Sequence, residues 1–169
     1  GSIAGAKSII ELTSDMTAVA TAVEGITWQK GFTNMAQAFT LAEKLFLLGG
    51  RKKAQEAVLT ITDGKPSFLF QTHEKVMQLK DKHTKLFFVP ITESKGAELK
   101  LMKEWASSPW ETNFVHVPGM DAVAADPRLF AQKCSVKFCP EAMSPSSMFI
   151  GKQTLGYMLI RENGLCEER

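Results

Sequence analysis

The stretch from Gly31 to Ser67 constrains the chain more than any other. Gly31, Phe32, Thr33 and Asn34 open a strongly amphipathic helix. Further on, the apolar run Ala57-Val58-Leu59-Thr60-Ile61-Thr62 reads as a strand that delivers Asp63 into a Gly-Lys-Pro turn. In an open parallel sheet, ligands bind in the crevice beyond the carboxyl ends of the strands, which lets Thr33 and Asp63 converge on one site. A hydroxyl and a carboxylate are hard oxygen donors. They suit a divalent ion such as Mg2+ or Mn2+, or a developing phosphoryl charge.

The rest of the chain alternates strand-like and helix-like segments. Ser8 to Leu12 reads as a short strand. Thr13-Ser14-Asp15 then caps a helix with Met16, Val19, Ala20 and Val23 at helical spacing, which Gly25 ends. Met35, Phe39, Ala42, Leu45 and Phe46 form the buried stripe of the next helix, closed by Gly49-Gly50. After the 57–62 strand the pattern predicts a helix over 72–82. It continues with a strand over 85–91 so continuously apolar that both its faces must be covered, then a helix over 95–106 and a strand over 113–117. Residues 121–134 form a last helix that Pro127 divides. Beyond Pro140, small and proline-containing residues read as a linker, and 154–160 as either a further strand or a poorly ordered tail. Such alternation predicts an α/β fold, a doubly wound, mostly parallel sheet with helices on both faces.

With 44% hydrophobic and 22% charged residues among 169, the composition is that of one globular domain. Twenty basic residues against 18 acidic ones, scattered along the chain, give a net charge of +2 and no electrostatic case for nucleic acid. The apolar runs are too short for membrane insertion. Gly1-Ser2 reads as a cloning remnant, and residues 1–7 as a leader before the domain. Cys134, Cys139 and Cys166 are an odd number; the spacing of the first two fits neither a redox pair nor a zinc knuckle, so they are read as thiols or a local structural disulfide and leave the compartment open. His73, His83 and His116 stand in different elements, and none is assigned a role.

Gly31-Phe32-Thr33-Asn34-Met35 with Ala38, and Ile61-Thr62-Asp63-Gly64-Lys65-Pro66, followed by the apolar strand Leu86 to Ile91, resemble the two later loops of the von Willebrand factor A family, also called the integrin inserted-domain fold. The resemblance covers roughly residues 8–139 and implies a three-layer sandwich, with residues 140–169 as a tail able to add a strand. In that family a metal-ion-dependent adhesion site sits at the carboxyl edge of the sheet. The ion there accepts an acidic side chain of a protein partner as its last ligand. The resemblance implies Thr33 and Asp63 as metal ligands, with Trp28, Phe32, Asn34 and Lys65 beside them facing the partner. The family's third component, Asp-x-Ser-x-Ser on the first strand, does not occur in this sequence. The domain is therefore expected to be N-terminally incomplete and its Mg2+ or Mn2+ site weak or absent; the open sheet edge is one that the apolar tail could fill, within the chain or by strand exchange in a dimer.

Each site residue also has an ordinary use. Threonine before a helix is a common cap, and aspartate before glycine suits a turn, so the metal reading rests on the pair. Trp105 falls on the apolar stripe of its helix and is expected in the core; Trp28 either packs on a neighbouring helix or contacts a partner. Three functions follow in order: a non-enzymatic protein-interaction or adhesion domain, a metal-independent interaction platform in an intracellular assembly, and a phosphoryl-transfer or hydrolytic enzyme using Asp63. The last lacks a glycine-rich phosphate loop, a Gly-x-Ser-x-Gly elbow and a base beside a nucleophile.

Overall fold

The computed structural model describes residues 5–27, 31–51, 54–138 and 158–162. Asp15 starts helix α1 (Met16–Glu24) by accepting the Ala18 N–H at 2.9 Å, and Gly25 ends it. Helix α2 (Met35–Gly49) is capped by Asn34 and closes at Gly50. Strand β1 (Glu56–Thr62), helix α3 (Leu69–Asp81), strand β2 (Lys85–Pro90) and helix α4 (Ala97–Trp105) follow. Pro127 divides the last helical region as expected, into α5 (Met120–Ala125) and α6 (Pro127–Phe138). Strand β3 (Met158–Glu162) ends the described chain; positions 154–157 of the expected last strand lie outside the described residues.

β1 and β2 pair in parallel, from Ala57 opposite Lys85 to Thr62 opposite Pro90. On its other side β1 carries β3, antiparallel, with Glu56 opposite Glu162 and Thr60 opposite Met158. The sheet order is β2-β1-β3. The predicted strand over 113–117 lies beyond β2, but as two separate parallel bridges, Phe88 with Phe114 and Ile91 with Val117. Val115 donates its N–H to the Phe88 carbonyl at 2.9 Å and Val117 to the Pro90 carbonyl at 3.0 Å. The rung between them needs an N–H at position 90, and proline has none.

Side chains alternate across the strands and build a core on each face of the sheet. Val58, Leu86 and Phe88 meet Phe39 and Phe46 of α2, Val76 and Leu79 of α3, and Met102 and Trp105 of α4. Leu59, Phe87 and Val89 point the other way, against Val123 of α5 and Phe130 and Cys134 of α6. Trp105 is 0% exposed, and its indole N–H donates to His73 Nδ1 at 3.1 Å, which satisfies the one polar atom that the ring buries.

Residues 8–12 correct the sequence reading: they form no strand. This segment runs instead along α2, with the Ala6 N–H on Gln37 Oε1 at 3.1 Å near the start of the helix and Leu12 beside Gly49 at its end. Of the apolar residues that suggested a strand, Leu12 packs on the α2 side of the core, whereas Ile9 stays 40% exposed. Helix α3 begins at Leu69, three positions before its predicted start, because the loop after Asp63 is short. Buried Thr72 returns its hydroxyl to the Phe68 carbonyl at 2.7 Å inside the first turn.

Helices α2 and α3 are clamped at the surface by Glu43, which takes Lys75 at 2.5 Å and also Lys82. Hydrogen bonds from Lys75 and then Lys82 hold the Glu43 carboxyl below its ordinary value of 4.5. A carboxyl depressed by folding adds stability above its unfolded pKa and loses it as pH falls through the folded value. Glu43→Gln is expected to lower the thermal midpoint at neutral pH, with the gap to wild type narrowing as pH drops below 4.5. Melting curves across pH check this, and a gap independent of pH would contradict it.

Candidate functional site

The carboxyl ends of β1 and β2 form one rim, and the two bends singled out in the sequence lie there side by side. β1 ends at Thr62, whose carbonyl accepts the Ile91 N–H at 2.7 Å at the end of β2. The chain then turns through Asp63, Gly64, Lys65 and buried Pro66 to Ser67. There the Ser67 N–H donates to the Thr33 carbonyl at 3.0 Å, which ties the loop after β1 to the loop before α2. A second contact reinforces the tie: the Phe32 and Phe68 rings meet edge to face with centroids 6.0 Å apart.

Neighbouring residues perform the ordinary roles open to Thr33 and Asp63. Asn34 caps α2, its Oδ1 accepting the Gln37 N–H at 3.2 Å. The turn after β1 is held by Thr62, whose hydroxyl accepts the Gly64 N–H at 3.3 Å and lies 3.2 Å from the Gly64 carbonyl. Gly64 itself needs no glycine-specific backbone, and a Cβ there meets open space. Among the described residues the Thr33 hydroxyl, the exposed Asp63 carboxylate and the exposed Lys65 ammonium make no hydrogen bond or ion pair. Two oxygen donors and a cation are thus left uncommitted on one rim.

The rim continues at the end of β2, where the Thr92 N–H bonds the Val117 carbonyl at 2.9 Å and the Thr92 carbonyl lies 2.8 Å from His116 Nε2. Gly119, at φ 91°, packs against Glu93 and admits no side chain. Of the other candidates, Phe32 is 64% exposed, Asn34 is engaged in its cap, and Trp28 lies outside the described residues, as do Cys139 and Cys166. Cys134 is buried between α6 and the sheet.

A family model for the von Willebrand factor type A domain matches residues 4–126, well over half of the 169. The chain belongs to the von Willebrand factor type A family. A search of curated proteins finds no match. Von Willebrand factor A domains have an α/β, Rossmann-like fold, which the parallel β1–β2 pair and its helices follow here. They are generally protein-interaction and adhesion modules, typically without enzymatic activity, and often bind a divalent metal. No helix among the described residues is long and apolar enough to cross a membrane.

Sequence reasoning missed the parts that join the loops. Ser67 acts through its backbone N–H, which no residue pattern reveals. Phe70, 68% exposed at the start of α3, did carry a signal: it is an apolar residue off the stripe made by Thr72, Val76 and Leu79. Asn34→Ala is expected to cost about 1 kcal/mol by removing the α2 cap, whereas Thr33→Ala leaves stability nearly unchanged. Denaturant unfolding of the two variants checks the assignment, and the reverse ranking would contradict it.

Proposed function

We propose that this von Willebrand factor A domain is a non-enzymatic interaction module that meets its protein partner at the rim shared by Thr33 and Asp63. The observation that carries this reading is the release of both side chains from local structural duty, by Asn34 on one loop and Thr62 on the other, while a backbone hydrogen bond ties the loops together. Side chains with no local partner, one half-buried and one exposed at a sheet edge, are free to take part in recognition. In its finer form the proposed architecture is the doubly wound, three-layer sandwich of the family, with β3 on the open sheet edge, and strand exchange between two copies as the dimeric version of the same pairing.

The donor chemistry fits an oxygen-preferring ion such as Mg2+ or Mn2+. Thr33 and Asp63 would hold it, and its charge would attract a partner carboxylate. Two protein donors are few for an ion that takes six ligands or more, and among the described residues no group of three or more His, Cys, Asp and Glu stands ready for a metal. The proposed site is therefore weak and relies on water and the partner for its remaining ligands. The same small donor set favours, as a second reading, a platform that binds its partner without metal. Lys65 beside the rim, with Phe32, Asn34 and Trp28, is the proposed partner-facing surface in both.

Magnesium titration separates the two. With a dissociation constant on the order of 1 mM, a tenfold excess of Mg2+ is expected to stabilise the domain by about 1.4 kcal/mol. Asp63→Ala should abolish that gain while leaving the metal-free midpoint within about 0.5 kcal/mol of wild type. Differential scanning calorimetry reads both quantities. A wild-type midpoint indifferent to Mg2+ would remove the metal from the account and leave the platform.

A further inference from the structure

Helix α2 runs from the Thr33 rim to the opposite end of the sheet. The Ser67 to Thr33 hydrogen bond ties its start to the rim, and β1, which follows it in the chain, returns to that rim to end at Thr62. The outward stripe of α2 is Gln37, Thr40, Lys44 and then Leu47 with Leu48, spaced three and four residues apart and all exposed. It is polar until the last turn. There Leu47 is 78% and Leu48 75% exposed, more than any other large apolar side chain among the described residues. Met35, Phe39, Ala42 and Phe46 already fill the core side of this helix, so the leucine pair adds nothing to the core.

The stretch that carries the pair is basic. From Lys44 to Gln55 the sequence holds four cations, Lys44, Arg51, Lys52 and Lys53, and no acidic residue. Lys44 and Arg51 are exposed; Lys52 and Lys53 lie outside the described residues. The acids on either side of the stretch are engaged elsewhere: Glu43 takes Lys75 and Lys82, and Glu56 accepts the Thr84 hydroxyl at 3.0 Å. Cations beyond the end of a helix also suit its dipole, but that use asks for no exposed leucines.

We propose that this end of α2 docks the domain on an anionic lipid membrane, with Leu47 and Leu48 entering the interfacial layer and the basic residues meeting the headgroups. The combination selects the partner. A soluble polyanion would use the cations and leave the leucines in water. A folded protein needs roughly 800 Å² of contact on each side. Two leucine side chains bury only on the order of 200 Å². A bilayer surface requires no matching shape, and apolar insertion and a polybasic stretch together give an attachment that neither gives alone. Such adsorption needs no membrane-spanning helix, and none occurs among the described residues. Because α2 ends opposite the rim, the docked domain holds Thr33 and Asp63 away from the bilayer.

The test is sedimentation of the whole chain with phosphatidylcholine vesicles, with and without about one third phosphatidylserine. Binding is expected to the phosphatidylserine vesicles and to weaken as salt is raised. Leu47→Ser and Leu48→Ser should each lower it about tenfold, the loss of one buried leucine side chain, while a dispersed amide spectrum shows that the fold is kept. Lys44→Ser should lower it about fivefold. Asp63→Ala, at the other end of the sheet, should leave it unchanged, which separates this proposal from the rim reading. No binding to phosphatidylserine vesicles, or equal binding to phosphatidylcholine alone, would overturn the proposal. Binding that both leucine variants leave unchanged and that heparin competes away would also overturn it, and would mark a site for soluble polyanions instead.

Discussion

The parallel pairing of β1 with β2, buried on both faces, is the constraint on which the molecule depends. It orders every later choice. Because the strands run the same way, the chain must cross the sheet through α3 to form them, and both strands end at the same rim. Because both faces are covered, Val58, Leu86 and Phe88 can anchor α2, α3 and α4 while Leu59, Phe87 and Val89 anchor α5 and α6. The polar residues Asp63, Lys65 and Thr92 then appear where each strand leaves the core, at the carboxyl edge where open α/β sheets generally bind their ligands.

On that rim the domain divides labour between adjacent residues. Asn34 does the capping next to Thr33, and Thr62 holds the turn next to Asp63. One backbone hydrogen bond, from Ser67 to Thr33, converts two surface loops into a single surface. The Glu43 clamp on Lys75 and Lys82 holds α2 against α3 away from those loops, from the middle of each helix onward. In the proposed reading, stability and recognition thus rest on different side chains. Single substitutions at the rim can alter binding with little effect on folding.

Much of this was legible in the sequence. The helical stripes through Phe39 and Phe46, the apolar continuity of β1 and β2, the Asp15 cap, the Gly25 and Gly49-Gly50 stops and the break at Pro127 follow from local rules, and the family resemblance placed Thr33 and Asp63 in its two later loops. What could not be read depended on tertiary context. Residues 8–12 have strand-like composition, yet they lie along α2, where Leu12 finds apolar cover. The 113–117 strand is broken by a missing donor on the neighbouring strand, at Pro90, and not by anything in its own residues. The choice of Asn34 over Thr33 as the α2 cap was one position beyond what propensity distinguishes, since both residue types cap helices well.

The central claim is that Thr33 and Asp63 present their oxygens to one ligand position. Manganese tests it most directly, because the paramagnetic ion broadens amide signals only near where it binds. Substoichiometric Mn2+ is expected to broaden residues 31–34 and 63–67 most strongly, with Glu93 and Glu98 beyond β2 affected less and the Glu43 clamp least. Broadening centred on any of those acidic groups, or spread evenly over the spectrum, would contradict it.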